Sequence, residues 1–323
     1  MQPKTLKVLA GVFVALCAVW TLARVVRRSA PPEPLLWKEA KRARRIEIRK
    51  PDAATTLVKA DAGWSLESPF KFAADGSAVE QLLEKLAAAT LSEPLSSDPR
   101  RHADFNVDRS SALHLQGFPE GGEGPGLDLL IGRQGGDYDS LFVRRPGTDE
   151  VREARGIARY QIDKKAGEWA DKLVCGIGTE KVTSIEIHSP GGVVRLQRKQ
   201  DKWRLGASEE PLPPETVTEQ VEPMLTKLSD LKADSVSPET ELSSVLLRGL
   251  AKPELRVVVG YRDEAGDGEK APRKSLELSV GPEDTGSRYP LRKAGVDGVV
   301  YQMPGWKLEP FRKKAGDFKK KAG

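Results

Sequence analysis

The residues best suited to catalysis or metal binding are few in this sequence. It holds two cysteines, Cys17 and Cys175, and three histidines, His102, His114 and His188. No spacing among the histidines matches a metal site, and two cysteines are too few for a disulfide framework. As a nucleophile Cys175 would need a base beside it, and the sequence offers only His188 close by. A half-buried, inert thiol is the favoured interpretation, and we predict no catalytic, cofactor-binding or metal-binding residue.

Two glycine-rich stretches share only their composition with phosphate-binding loops. A phosphate loop follows a strand, precedes a helix and carries a Lys-Ser/Thr pair. Residues 117–126 (GFPEGGEGPG) lack that pair and precede a β-prone run, and residues 132–136 (GRQGG) lack it too. Residues 137–139 (DYD) lack the glutamate-closed spacing of a calcium loop. These stretches therefore predict flexible hairpin loops and a solvated turn.

The positive charge of the chain is confined to its two ends. The formal net charge is +5 over 323 residues. Residues 1–28 and residues 312–323 each carry a net charge of +5, which leaves −5 for residues 29–311. An acidic body repels a phosphate backbone, so we predict no nucleic-acid partner for it. Residues 312–323 are predicted to form a disordered basic tail able to contact anionic lipid headgroups.

An uncharged apolar run near the start of the chain predicts a membrane anchor. Residues 8–23 read VLAGVFVALCAVWTLA, and with their flanks they are long enough to cross a bilayer of about 30 Å. Cleavage by signal peptidase is disfavoured, because Arg28 occupies the −3 position of the nearest candidate site. We therefore predict an uncleaved signal anchor within residues 1–28. Basic residues flank the run on both sides, so charge alone leaves its orientation open.

The rest of the chain repeats itself after 139 residues. An Ile-Glu-Ile run at 46–48 recurs at 185–187, and the Trp-x-Leu run that begins at Trp64 recurs at Trp203. These runs alternate apolar and polar residues, as half-buried strands do. The repeated tryptophans are therefore predicted to be core residues.

Each copy also carries a helix signal after its Trp-x-Leu strand. Ser77 and Glu80 in the first copy, and Thr216 and Glu219 in the second, have the spacing of a capping box. An apolar stripe at helical spacing accompanies each pair, which predicts one amphipathic helix per copy packed on a sheet. Pro223 falls inside the second helix and is predicted to kink it or to shift its start.

Later runs complete the fold-class prediction. LDLLIG at 127–132 matches LELSVG at 276–281, and a short helix or turn is predicted beside Trp169 and beside Trp306. Further strands are predicted around residues 141–144, 160–162 and 299–301. We predict an α+β fold of two tandem repeats, each a mainly antiparallel sheet with one capped helix, preceded by a single transmembrane helix. The predicted segments are an anchor (1–28), a linker (29–43), a first repeat (44–174), a second repeat (175–311) and the basic tail (312–323).

This duplicated series of motifs resembles the domain of unknown function 4340 (DUF4340) family. The shared series is an N-terminal apolar span, I-E-I, W-x-L, a capped helix and L-x-L-x-(I/V)-G, and the duplicated part covers roughly residues 44–310. The resemblance implies a bacterial envelope protein of a kind often encoded beside ABC-type exporter permeases and gliding-motility-like auxiliary subunits. It also implies a single-pass protein of the cytoplasmic (inner) membrane with an extracytoplasmic body, and it supplies no catalytic residues.

Three functional hypotheses follow from the sequence. The first is a non-enzymatic, membrane-tethered accessory or scaffold subunit of an ABC-type export or gliding-like complex, without a cofactor and with permease or auxiliary envelope proteins as partners. The second is an envelope ligand-binding protein or hydrolase whose site lies between the two repeats, because ligands favour such interfaces. The third is a cytoplasmic-facing protein that binds lipid or nucleic acid through the basic tail.

Overall fold

The computed structural model describes Phe13, Leu16, Trp20, residues 33–262 and residues 273–318. Antiparallel strands dominate this part of the chain and form two large sheets and one small sheet. The first large sheet contains β1 (Ala43–Arg49), β2 (Ala54–Ala60), β3 (Gly63–Ser68), β4 (Phe72–Ala73), β5 (Thr90–Leu91), β6 (Leu113–Pro119), β7 (Leu127–Gln134), β8 (Ser140–Arg144) and β9 (Val151–Arg155). The second contains β11 (Val182–Ser189), β12 (Gly192–Lys199), β13 (Lys202–Leu205), β15 (Ser235–Pro238), β16 (Leu255–Arg262), β17 (Arg273–Val280), β18 (Arg288–Lys293) and β19 (Val299–Pro304). The small sheet pairs β10 (Leu173–Cys175) with β14 (Leu231–Lys232).

Short helices connect the strands. The α-helices are α1 (Gly76–Ala88), α2 (Arg159–Ile162), α3 (Ala166–Trp169), α4 (Pro214–Thr216), α5 (Glu222–Ser229), α6 (Ser244–Ala251) and α7 (Gly305–Leu308). A π-helical segment, Val217–Val221, joins α4 to α5. Single 3₁₀ turns lie at Ala40–Arg42, Pro99–Arg101, Ala103–Phe105, Glu239–Glu241, Glu309–Phe311 and Ala315–Phe318.

The two large sheets have the same strand order. The first runs β4-β3-β2-β1-β6-β7-β8-β9-β5, and the second runs β13-β12-β11-β16-β17-β18-β19-β15. The second sheet thus follows the first strand for strand, except that the described residues hold no counterpart of β4. The registers also agree, since Ile46 pairs with Leu57 and, 139 residues later, Ile185 pairs with Leu196. We call the parts of the chain around these two sheets the first unit and the second unit.

Each unit buries one face of its sheet against a helix. In the first unit, Val79, Leu82, Leu83 and Leu86 of α1 are buried in one cluster with the inward-facing residues of β1, β2 and β3. In the second unit, α5 and the end of the π-helical segment bury their apolar residues in the same way. Burying a leucine or valine side chain contributes about 1.5–3 kcal/mol, so these stripes supply much of the free energy that holds helix to sheet.

The two repeated tryptophans lie in the two cores, as predicted, but their polar contacts differ. Trp64 is 6% exposed and Trp203 is 5% exposed. The Trp64 indole Nε1 donates to Glu80 Oε1 at 2.9 Å. The counterpart of Glu80 in the second unit, Glu219, is exposed within the π-helical segment. The second unit thus has a π-helical segment where the first has an α-helix, and its described residues lack the hydrogen bond between the core tryptophan and the helix glutamate.

The predicted capping box at Ser77 and Glu80 is wrong. The N-cap of α1 is Asp75, whose carboxylate accepts a hydrogen bond from the Ala78 N–H at 3.0 Å. Ser77 lies inside the first turn, and Glu80 is engaged by Trp64 instead. Aspartate is at least as good an N-cap as serine, so the carboxylate two residues upstream takes this role.

The second predicted capping box, at Thr216 and Glu219, is also wrong. The N-cap of α4 is Pro213, and it offers no side-chain hydrogen bond. Pro223 has no N–H group, so the α-helical bond from residue 223 to the carbonyl of residue 219 cannot form. The π-helical segment immediately precedes α5, which has Pro223 in its first turn. This agrees with the prediction that Pro223 disturbs the helix.

The fold-class prediction is wrong as it was framed. The described residues form three sheets, and each unit has more than one helix because short helices also pack at the ends of strands. No helix in the described part of the chain is long and apolar enough to cross a membrane. The predicted transmembrane helix rested on residues 1–28, which lie outside the described residues apart from Phe13, Leu16 and Trp20. An apolar composition alone does not establish the continuous helix that spanning requires.

Two predicted segment boundaries also differ from the structure. The predicted linker, residues 29–43, contains Leu36 and Trp37, both buried in the first core. The Trp37 ring packs so closely on β6 that a Cβ at Gly117 would lie 2.3 Å from it. In the predicted disordered tail, residues 312–323, Phe318 is 2% exposed and packs in the second core. In both segments a buried aromatic residue outweighs the prolines or charges around it, and residues 319–323 lie outside the described residues.

Candidate functional site

The two units meet through direct backbone contacts. Helix α3 of the first unit lies against β15 of the second, so closely that a Cβ at Gly167 would fall 1.8 Å from the Val236 carbonyl oxygen. Just after α3, the Lys172 carbonyl of the first unit accepts a hydrogen bond from the Ala233 N–H of the second unit at 2.8 Å. The small β10–β14 sheet continues this junction into the second unit. Only glycine fits at position 167, which makes the fit between the units specific.

Two phenylalanines of the first unit reach the core of the second. Phe70 and Phe72 follow β3 and pack against the buried cluster of the second unit. The Phe72 ring meets the Tyr301 ring edge-on, with centroids 6.1 Å apart and an interplanar angle of 77°. Aromatic pairs in this geometry add about 0.5–1.5 kcal/mol beyond the area they bury. Together with the contacts of Gly167, this packing holds the units in a fixed relation.

A cleft of about 940 Å³ opens beside this junction. This volume lies in the upper part of the range for ligand sites, and sites between domains are common. Both units contribute walls, so neither unit alone forms the cleft. The lining residues are Ile48, Lys50, Asp52, Ala53, Ala54, Thr55, Ser68, Pro69, Phe70, Lys164, Lys165, Ala166, Gly167, Glu168, Asp234, Ser235, Val236, Ser237, Pro238, Glu241 and Arg288.

Two lysines of the cleft are held by contacts within the first unit. Lys50 forms an ion pair with Asp163, and its Nζ also donates to the Lys164 carbonyl at 3.2 Å. The Nζ of Lys164 lies 4.3 Å from the centre of the Trp169 ring. Burial lowers the pKa of Lys164, and repulsion from Lys172 lowers it further. Both lysines are thus fixed as parts of the wall.

Four other charged side chains of the cleft make neither an ion pair nor a side-chain hydrogen bond within the described residues, whereas the Glu168 carboxylate accepts a hydrogen bond from the Lys165 N–H at 2.8 Å. Asp52 and Lys165 belong to the first unit, and Glu241 and Arg288 belong to the second. All four are exposed. Each unit therefore presents one acidic and one basic side chain to the cleft, and these are available to a bound molecule.

The histidines considered in the sequence analysis are scattered. His102 is bonded to the Asp149 carbonyl through Nε2 at 3.1 Å, which ties down a loop. His114 meets the Asp128 carboxylate at 2.6 Å on the outer face of the first sheet. His188 meets Glu186 at 2.6 Å on the second sheet. None of the three lines the cleft, and the structure does not bring them together.

Cys175 occupies a structural position. It ends β10 and is 3% exposed, so it is more deeply buried than the sequence suggested. Burial raises the pKa of the thiol, which disfavours the reactive thiolate. The other cysteine, Cys17, lies outside the described residues.

The glycine-rich stretches and their acidic neighbours form turns. The hairpin loop predicted at 117–126 is confirmed for residues 120–126, which connect β6 and β7, whereas residues 117–119 belong to β6. The loop predicted at 132–136 is wrong for residues 132–134, which belong to β7. Residues 135–139 form the turn before β8, where the Glu153 carboxylate accepts hydrogen bonds from the Gly136 N–H and the Ser140 hydroxyl, both at 2.8 Å. Burial alone would raise the pKa of Glu153, but these bonds and Arg155 together lower it. This carboxylate is therefore engaged in holding a turn.

In the described part of the chain, the cleft offers groups that can form ion pairs and hydrogen bonds with a bound molecule. No group of three or more histidine, cysteine, aspartate or glutamate side chains is placed there to hold a metal ion. The cleft instead combines free charges of both signs with serines and short apolar side chains. Sequence reasoning pointed to the space between the repeats but named none of its residues. The pair Lys164-Lys165, five and four residues before the repeat-ending Trp169, was the available signal.

These observations define a class of protein: two similar antiparallel β units in tandem, with a cleft at their junction. Residues 64–248, more than half of the chain, match the model of a known family, Domain of unknown function (DUF4340). The chain belongs to that family, which confirms the resemblance found in the sequence. The match begins at the tryptophan of β3 and ends in α6, so it includes parts of both units.

No curated protein matches this chain. No solved structure matches it either.

Proposed function

We propose that this protein is a non-enzymatic accessory subunit of an envelope export complex, and that it binds a partner protein in the cleft between its two units. The observation that carries the proposal is the cleft itself, which both units build and which their tight junction keeps open. The four free charges described above give the cleft groups with which to recognise a partner. The ABC-type exporter or gliding-like machinery is the assembly that the family resemblance suggests.

Co-purification tests the proposed function. The full chain, carrying an affinity tag, is extracted from its own cells in a mild detergent and purified in one step. We expect a permease or ATPase subunit of an ABC-type exporter to co-purify at a fixed ratio, and an untagged strain serves as the control. Recovery of the protein alone, as a monomer, would contradict the proposal.

The proposal also includes a location, on the extracytoplasmic side of the cytoplasmic membrane. A fusion of alkaline phosphatase to the C-terminus is active only outside the cytoplasm, whereas a green fluorescent protein fusion exported in unfolded form stays dark. We expect an active phosphatase fusion and a dark fluorescent fusion. The opposite pair of results would place the body of the protein in the cytoplasm and would overturn this part of the proposal.

A further inference from the structure

We infer that the cleft between the two units is built to hold an extended polypeptide segment that carries both acidic and basic side chains. The inference rests on the proposed function and specifies what its binding site recognises. The segment would belong to the partner protein.

The charge of the lining is the first argument. The cleft is lined by four basic residues and four acidic residues. Two of these eight residues form ion pairs within the protein: Lys50 pairs with Asp163, and Asp234 pairs with Lys307. The free charges on each unit are again of both signs. A polyphosphate or nucleic acid would meet as many carboxylates as cations, whereas a polypeptide can match both signs along its length.

The small side chains of the lining are the second argument. They cover much of both walls, including Ala53 and Ala54 where β2 begins and Ser235 and Ser237 in β15. Short side chains on the walls leave room for the main chain of an extended peptide to lie close to them. Phe70, which is partly exposed at the junction, adds an apolar surface for one anchoring side chain.

Photo-crosslinking in the full chain tests the inference. A benzophenone amino acid replaces Asp52, which is exposed and lines the cleft. The control replaces Lys85, which is exposed on α1 and does not line it. After irradiation of intact cells, we expect the Asp52 adduct to contain one polypeptide segment with acidic and basic residues, and the Lys85 adduct to lack it. An adduct with a lipid, a glycan or a small molecule, or no adduct at Asp52, would overturn the inference.

A binding measurement completes the test. A synthetic peptide with the crosslinked sequence is titrated onto the purified full chain. Because Arg288 makes no ion pair within the described residues, Arg288→Glu should leave folding intact and weaken peptide binding about tenfold. Lys85→Glu, the matched charge reversal outside the cleft, should change the affinity less than about twofold. Equal affinities for the Arg288→Glu and Lys85→Glu variants would contradict the inference.

The two proposals fail in distinguishable ways. If exporter subunits co-purify but Asp52 yields no peptide adduct, the cleft assignment is wrong and the accessory role stands. If the crosslinked peptide binds but comes from a protein unrelated to export, the accessory role is wrong and the cleft assignment stands.

Discussion

The contact between Glu80, Lys59 and Trp64 is the clearest difference between the two units at the level of single residues. Glu80 accepts from Lys59 Nζ at 2.7 Å and from Trp64 Nε1 at 2.9 Å. Both hydrogen bonds lower the pKa of the Glu80 carboxyl, and the bond from Lys59 has the larger effect. Since they tie helix α1 to β2 and β3, the carboxylate stabilises the packing of the first unit and has no role in the cleft.

Removal of this carboxylate should destabilise the protein measurably. We expect Glu80→Ala to lower the free energy of unfolding by about 1 kcal/mol, because a partly exposed carboxylate with two partners is screened by solvent. Glu84→Ala is the matched control in the same helix, since Glu84 makes one exposed ion pair, with Lys41 at 3.8 Å. Urea unfolding followed by tryptophan fluorescence measures both variants. Equal losses in the two would refute the assigned role of Glu80.

Asp108 provides a prediction about pH. The hydroxyls and backbone N–H groups of Ser110 and Ser111 donate to its carboxylate and lower its pKa from 3.8 to about 2. A carboxylate whose pKa is lower in the folded state stabilises that state above its unfolded pKa, and this contribution fades as the pH falls through the folded pKa. We expect the wild-type chain to exceed Asp108→Asn in stability by no more than about 1 kcal/mol at pH 6, given its solvent exposure. The difference should shrink as the pH falls from about 4 towards 2, in urea unfolding series. A difference that grows on acidification would contradict this assignment.

At the scale of elements, two substitutions at the start of α1 test which residue caps this helix. Asp75→Ala removes the N-cap hydrogen bond and should cost about 1 kcal/mol of unfolding free energy. Ser77→Ala changes a residue inside the first turn, whose hydroxyl accepts one bond of 3.3 Å from Gln81, so it should cost less than about 0.5 kcal/mol. Urea unfolding of the two variants side by side measures the difference. A larger loss for Ser77→Ala would restore the capping box that the sequence predicted.

Short-range patterns in the sequence predicted many elements correctly. Alternating polarity located β1 and β11, the Trp-x-Leu runs located β3 and β13, and the run at 127–132 lies in β7. Residues 160–162 were predicted as a strand but lie in α2. Three residues are too few for apolar periodicity to distinguish a strand from a helix. The Ala158 N–H donates to the Gln161 side chain, and this bond favours a helical turn.

The candidate site could not be predicted in the same way. Its walls come from residues 48–70, 164–168, 234–241 and 288. Their meeting depends on how the units pack, which local patterns do not encode. The close contact of Gly167 with Val236 is one of the interactions that set this packing, and a glycine in a short helix gives no sign of it in the sequence.

At the scale of the whole molecule, the contact between Gly167 and Val236 allows the contribution of the junction to stability to be measured separately from that of each unit. Gly167→Ala would place a Cβ 1.8 Å from the Val236 carbonyl oxygen, a backbone atom that cannot rotate away. Helix α3 and β15 would have to separate, so we expect a loss of about 2–4 kcal/mol in the free energy of unfolding. Gly124→Ala is the matched control, because no heavy atom lies within 4 Å of its added Cβ, and it should change stability by less than about 0.5 kcal/mol.

The same variant links the junction to the cleft. If α3 moves away from β15, the wall formed by residues 164–168 shifts relative to Ser235 and Ser237, and the two sets of free charges lose their spacing. Gly167→Ala should therefore reduce crosslinking from Asp52 under conditions in which both units remain folded, as judged by circular dichroism. Gly124→Ala should crosslink as the wild-type chain does. Full crosslinking in a folded but destabilised Gly167→Ala variant would show that the cleft does not depend on the fixed arrangement of the two units.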